Sequence, residues 1–258
     1  MSAIGGVLSR LHDMPLCLLI ALIVASPSPV PVEPAVVNRL LDGLEARLVQ
    51  DPANLRVGAE YRQLVIQAGR YDRSIKLFER LSKDSRGGAN RFLNLALANI
   101  DKVPVSGSIR QALLGREAID AATRAIAIEP TDVAYYIRGV VNLFYDRAIF
   151  HRTDKGVADL EASRRLAAAH PRLPHVARIF VSLGDGYWRL NQPDKARDVW
   201  REGLAAFPDT EGLHARLDAR ADQLPGIVEH AMDPDVRVDT TLRELFPDLA
   251  RSQGTLHP

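Results

Sequence analysis

His170 and His175 stand five positions apart on either side of a proline-broken turn. Imidazoles that share a metal from one helix need a spacing that brings both rings to one face, and this interval does not supply it. The pair therefore reads as solvated loop histidines, and no metal is expected. Gly184-Asp185-Gly186 is glycine-rich, but it lies inside a helical run whose close packing already accounts for Gly184. The stretch Tyr145-Asp146-Arg147-Ala148-Ile149-Phe150-His151-Arg152 gathers aromatic, acidic, basic and imidazole groups. Acid–base chemistry there would require His151 hydrogen-bonded to Asp146 at the base of a cleft. The simpler reading is a surface elbow held by Asp–Arg pairs. HExxH, a Walker phosphate loop, GxGxxG after a strand and a GxSxG elbow are all missing. The expectation is a non-enzymatic chain without a cofactor.

The elements that would carry these groups follow from composition and periodicity. The 258 residues include 33 Lys+Arg and 32 Asp+Glu, a net charge of +1, so no whole-molecule field is available to hold a polyanion. No nucleic-acid partner is expected. Only five of the basic residues are lysine, and arginine suits ion-pair surfaces and bidentate carboxylate contacts. A 47% hydrophobic and 25% charged composition with one cysteine excludes a disordered tail, a collagen and a disulfide scaffold.

Residues 1–25 stand apart. Met14 to Ser26 carries no charge, follows Arg10 and His12, and precedes the proline-rich stretch Pro27 to Pro34. A spanning helix needs about 20 apolar residues; a basic flank and an apolar run of about 7 to 15 describe a secretory signal. Cleavage after Ala25 gives a periplasmic or secreted protein, and an uncleaved segment gives a membrane-anchored one facing the periplasm. Membrane contact is expected only through this segment. Cys17 lies near the start of the apolar run, the wrong end for lipidation, and cleavage would leave no cysteine. Residues 26–35 read as a linker.

From Val36 onward the chain is dense in helix formers at helical spacing, and the strand-like run is Val236 to Leu242. Helix ends are marked at Asp51-Pro52, Ser85-Arg86, Glu129-Pro130, His170-Pro171 and Phe207-Pro208, at intervals of 34, 44, 41 and 37 residues. A unit of about 34 residues with insertions fits them. In the last unit Leu183-Gly184-x-x-Tyr187, Ala196-x-x-x-Trp200, Gly203 and Pro208 place small residues where two antiparallel helices meet and aromatics around them. Residues 54–86 keep Gly69-Arg70-Tyr71-Asp72, Ile75 and Phe78, but Arg62, Ser74 and Leu81 replace smaller residues. The second unit has Leu95-Ala96, Ala118, Ala122 and Ala125, with ten residues inserted around Asp101 to Arg116. The third has Gly139, Gly156, Leu160 and Ser163, with an insertion near Asp146 to Asp154.

These spacings resemble the tetratricopeptide repeat over residues 38 to 208. The resemblance implies an all-α, helix-turn-helix repeat solenoid with a right-handed superhelical course, over residues 36–224. A polar-faced capping helix is expected at 209–223, and an irregular tail at 225–258 that docks on the solenoid through Leu242, Leu245 and Phe246. Thr240 to Leu245 reads as a short helix.

The resemblance also implies a concave groove lined by the first helix of each unit. Registering the units on Arg62, Ala96, Gly139 and Gly184 places Leu97, Tyr136, Val140, Phe144, Asp185, Trp188 and Arg189 on it, with Arg147 and His151 at the neighbouring insertion. The middle rows are apolar or aromatic. A hydrophobic partner chain, a small apolar ligand and the chain's own terminal segment are three candidate occupants. The expected function is protein–protein interaction as an adaptor or assembly factor. The alternative is a ligand-binding component whose insertions close the groove over an apolar or carboxylated small molecule.

Overall fold

The structure is a computed structural model that describes residues 34–145, 151–169, 175–231, 233, 242, 245 and 246. Among them are eleven α-helices and two short 3-10 turns, and no strand. Helix α1 spans Pro34–Gln50, α2 Leu55–Ala68, α3 Tyr71–Leu81, α4 Asn90–Lys102, α5 Ser108–Ile128 and α6 Asp132–Phe144. Then come α7 Thr153–Ala167, α8 His175–Arg189, α9 Pro193–Ala206, α10 Glu211–Leu217 and α11 Leu224–Ala231. Consecutive helices pack as neighbours, with α4 on α5, α6 on α7 and α8 on α9 the most extensive pairings. These pairs and α2 with α3 are the four expected repeat units, and α1 is the lone leading helix.

Local chemistry explains the boundaries. Asn54 caps α2 by accepting a hydrogen bond from the Val57 amide at 3.0 Å. Gly69 ends α2 in the left-handed region at φ 65°, and its amide returns to the last turn. Thr131 caps α6 through the Ala134 amide. Pro193 begins α9, where its missing N–H costs nothing.

The pairs close through small residues. A β-carbon on Gly139 would lie 3.1 Å from the Gly156 carbonyl, and one on Gly156 would lie 3.0 Å from the Gly139 carbonyl. Helices α6 and α7 thus meet backbone to backbone, an approach that larger side chains would block.

Three expectations change. The insertion at 101–116 is a 3-10 turn at Val103–Val105 followed by a lengthened α5 of 21 residues. The cap is shorter than expected, seven residues of α10. The pattern does not dissolve at Pro225, because this proline sits in the first turn of α11, whose Leu224 and Val228 are buried. The insertion at 146–154 and the strand-like and short-helix readings at 236–245 fall mostly outside the described residues, as do residues 1–33. No described helix is long and apolar enough to cross a membrane.

Candidate functional site

The expected groove positions fall on the first helices of the four units, α2, α4, α6 and α8. Leu97 on α4 and Tyr136 and Val140 on α6 are buried in one large apolar cluster; Phe144 and Trp188 are half-buried against it. The Trp188 ring lies 6.3 Å from the buried Trp200 ring. The expected apolar rows are therefore core rather than an open trough. Leu242, 4% exposed, belongs to the same cluster, and Leu245 packs against it. The Phe246 ring lies 5.3 Å from the guanidinium carbon of Arg56, at the start of α2.

The expected polar groups are also engaged. Asp185 is 1% exposed and receives a bidentate fork from Arg216 of α10, Nε to Oδ1 at 2.5 Å and Nη2 to Oδ2 at 2.6 Å. Burial pushes its carboxyl up from the ordinary aspartate value, against the opposing pull of Arg216. Instead of facing a ligand, Asp185 ties the capping helix to the last repeat. Arg189 is a brace of the same kind, since its Nη1 donates to the Leu143 carbonyl at 2.7 Å and its Nε lies 3.8 Å from Glu229 of α11. His151 is exposed, with a left-handed φ of 39°. Arg147 and Asp146 lie outside the described residues, so the expected Asp146–His151 contact does too.

His175 departs from its expected loop role. It opens α8, is buried, and its Nε2 lies 2.7 Å from Asp132 Oδ2 at the start of α6. The hydrogen bond to His175 holds the Asp132 carboxyl below the usual aspartate range despite partial burial. Ser163 Oγ, from α7 between them, donates to the Asp132 carbonyl at 2.7 Å. A hydroxyl committed in this way is not presented as a nucleophile, so the constellation acts as a latch joining three helices. His170 lies outside the described residues, and no described group of three His, Cys, Asp or Glu side chains could hold a metal.

One cleft, of about 310 Å³, lies between α5, α6 and α7. Its walls include Thr123, Arg138, Asn142, Arg152, Lys155 and Asp159. Arg138 grips Asp159 at 2.9 and 2.6 Å and donates to Thr123 Oγ1 at 3.2 Å. Asn142 donates to Asp159 at 3.1 Å and accepts from Arg152 at 2.8 Å. Such a wall can hold a small polar or carboxylated group.

Sequence reasoning missed this cleft, the Asp185–Arg216 fork and the Asp132–His175 latch. Their partners are 43 positions apart or less but on different helices, and periodicity registers only which face is apolar. For Asp185 a signal existed: an acid beside Gly184, where the Trp200 indole lies against α8, has no room to remain solvated.

The fold and these contacts define a helical-repeat protein of tetratricopeptide-like architecture. No protein-family model matches the chain, and no curated protein matches it by sequence. Among solved structures it is similar to TTC0263, a thermophilic TPR protein of Thermus thermophilus. That likeness has a TM-score of 0.53 and 16% identity over 71% of this chain and 90% of that one. YrrB, described as a TPR protein with an unusual peptide-binding site, matches with a TM-score of 0.46 and 16% identity over 70% of this chain and 84% of that one.

Proposed function

We propose that this chain is a non-catalytic adaptor, exported by residues 1–25, that binds a protein partner on the inner face of α2, α4, α6 and α8. One observation carries the reading. Apolar and aromatic side chains of successive first helices, Leu97, Tyr136, Val140, Phe144 and Trp188, join one continuous hydrophobic cluster whose margin is half-buried. A rigid repeat array whose half-buried aromatic margin, Phe144 and Trp188, borders that cluster suits a partner chain.

The test is photo-crosslinking in cells, with the probe placed at Phe144 or Trp188 and, as a control, at exposed Arg201 on α9. Adducts from the first two positions and none from the third are expected. Equal adducts from all three, or none, would reject the inner face as the binding surface. Export is checked by the mass of the mature chain: a start at Ser26 means cleavage, and an intact chain in the membrane fraction means an anchor.

The cleft beside Arg138, Arg152 and Lys155 favours a second reading, a carboxylated small molecule held between α5 and α7. Calorimetric titration with small carboxylates against wild type and Arg138→Met examines it, and equal heats from both proteins would discard it.

A further inference from the structure

The cleft between α5, α6 and α7 is built in two layers. Each helix lines it with two residues four positions apart, which share one helical face: Ile119 and Thr123, Asn142 and Arg138, Lys155 and Asp159. The contacts set their order. Arg138 joins Thr123 and Asp159 in one layer, so Ile119, Asn142 and Lys155 stand in the other, one helical turn or about 5 Å away.

The layers differ in charge and in what they leave unused. In the first, the charge of buried Asp159 is answered by the Arg138 fork. Oδ2 of Asp159 accepts from Arg138 Nε and from Asn142, and Oδ1 accepts from Arg138 Nη2, so of about four acceptor positions on a carboxylate one remains. Thr123 Oγ1 accepts from Arg138 and donates to the Ile119 carbonyl at 2.8 Å, which leaves it a lone pair. Arg138 spends three N–H groups in these bonds and keeps the others. The first layer is thus neutral and offers both acceptors and donors, the surroundings that a hydroxyl satisfies in both senses. The second layer has no acid. Its cation, Lys155, is exposed and makes no hydrogen bond or ion pair among the described residues, and Ile119 gives it an apolar floor.

We propose that the cleft takes a small hydroxycarboxylate, with its carboxylate on Lys155 and its hydroxyl one turn away among Arg138, Thr123 and Asp159. The inference rests on the second reading above and adds the residue that meets the acid and the group at the molecule's other end. A planar carboxylate has no open fork at Arg138, because Asp159 already fills it. It is therefore received by the point charge of Lys155. A zwitterion suits the cleft less well, since its ammonium would lie against the Arg138 guanidinium.

Calorimetric titration of the full chain with 4-hydroxybutyrate, butyrate and 4-aminobutyrate tests the assignment. Wild type should bind 4-hydroxybutyrate about fivefold more tightly than butyrate, the worth of one hydrogen bond, and 4-aminobutyrate most weakly of the three. Lys155→Met, at an exposed position that leaves the Arg138–Asp159 fork in place, should weaken both 4-hydroxybutyrate and butyrate about tenfold. Equal affinity for 4-hydroxybutyrate and butyrate, or undiminished binding to Lys155→Met, overturns the inference while the carboxylate reading stands. The absence of binding by either acid to wild type removes that reading and the inference together.

Discussion

Gly184 in the last repeat and Arg62 in the first hold the same place in their helix pairs, and the two repeats fill the space around that place in opposite ways. A β-carbon on Gly184 would collide with Trp200 Nε1, so the buried indole lies directly against α8. Ala196 and Gly203 complete the small surface, and α8 and α9 pack along their length. In the first repeat the corresponding residues are Arg62, Ser74 and Leu81, with Phe78 in place of Trp200. Phe78 is met edge-on by Tyr61 at 5.8 Å, and α2 touches α3 far less extensively. Arg62, 1% exposed, turns away toward α4, donating to Asn94 Oδ1 at 2.7 Å and lying 3.4 Å from Asp101 Oδ2. Burial pulls its guanidinium below the ordinary arginine value, and Asp101 works against that pull. One pair is closed by shape, whereas the other is bridged to its neighbour by charge. Desolvation offsets much of a buried ion pair's attraction, so the first repeat should be the weaker end of the array and the last its stable core.

The largest effects are expected where shape closes the pair. Trp200→Ala should cost about 4 kcal/mol, the range for emptying a buried aromatic site. Gly184→Ala should cost about 3 kcal/mol, because neither the indole nor the backbone of α8 can yield the missing space without strain. Urea unfolding followed by circular dichroism measures both. A loss below about 1 kcal/mol for Gly184→Ala would mean that the two repeats are packed alike after all.

The charged end should respond differently to the same experiment. Arg62→Met removes the cation 3.4 Å from Asp101, itself 4% exposed, and a loss of about 3 kcal/mol is expected. Adding Asp101→Asn removes the stranded charge and should recover most of that loss. Nothing comparable can rescue Gly184→Ala by a distant change of charge. If the double variant stays as unstable as Arg62→Met, the pair itself, rather than its desolvation balance, sustains the first repeat.

This contrast also explains what the sequence revealed. The last repeat was legible residue by residue because its packing is local: Gly184, Ala196, Trp200 and Gly203 occur at fixed intervals and satisfy one another. Arg62 was visible as an exception, but its partners Asn94 and Asp101 lie 32 and 39 positions away and carry no periodic mark. The candidate groove shows the same division. Helical register placed Leu97, Tyr136 and Val140 on the inner face, yet register does not report what covers a face. Their burial depends on tertiary neighbours, as members of one cluster drawn from several helices. Asp185 and Arg189 followed the same course, since each matched a groove position by spacing and each is bound to another helix, Asp185 to α10 and Arg189 to α6 and α11. Pro225 misled for a local reason, because proline stops a helix in its interior and starts one in its first turn.

The smallest predicted effect sharpens the comparison through pH. The latch between Asp132 and His175 joins the third repeat to the fourth, while the first repeat rests on Arg62 and Asp101. The folded Asp132 carboxyl lies below its unfolded value of about 3.9. Its stabilisation is therefore fully present above about pH 4 and is lost as pH falls through the lower folded value. Asp132→Asn should cost on the order of 1 kcal/mol at neutral pH, the net worth of a hydrogen bond. It should also flatten the loss of stability below about pH 4. Hydrogen exchange of α6 and α8 amides, compared at about pH 6 and about pH 3.5, isolates this latch from the rest of the array. In wild type, protection at the start of both helices should fall with acid, and in Asp132→Asn it should begin lower and change less. Equal acid sensitivity in the two proteins would place the titrating group elsewhere and leave the third and fourth repeats joined by packing alone.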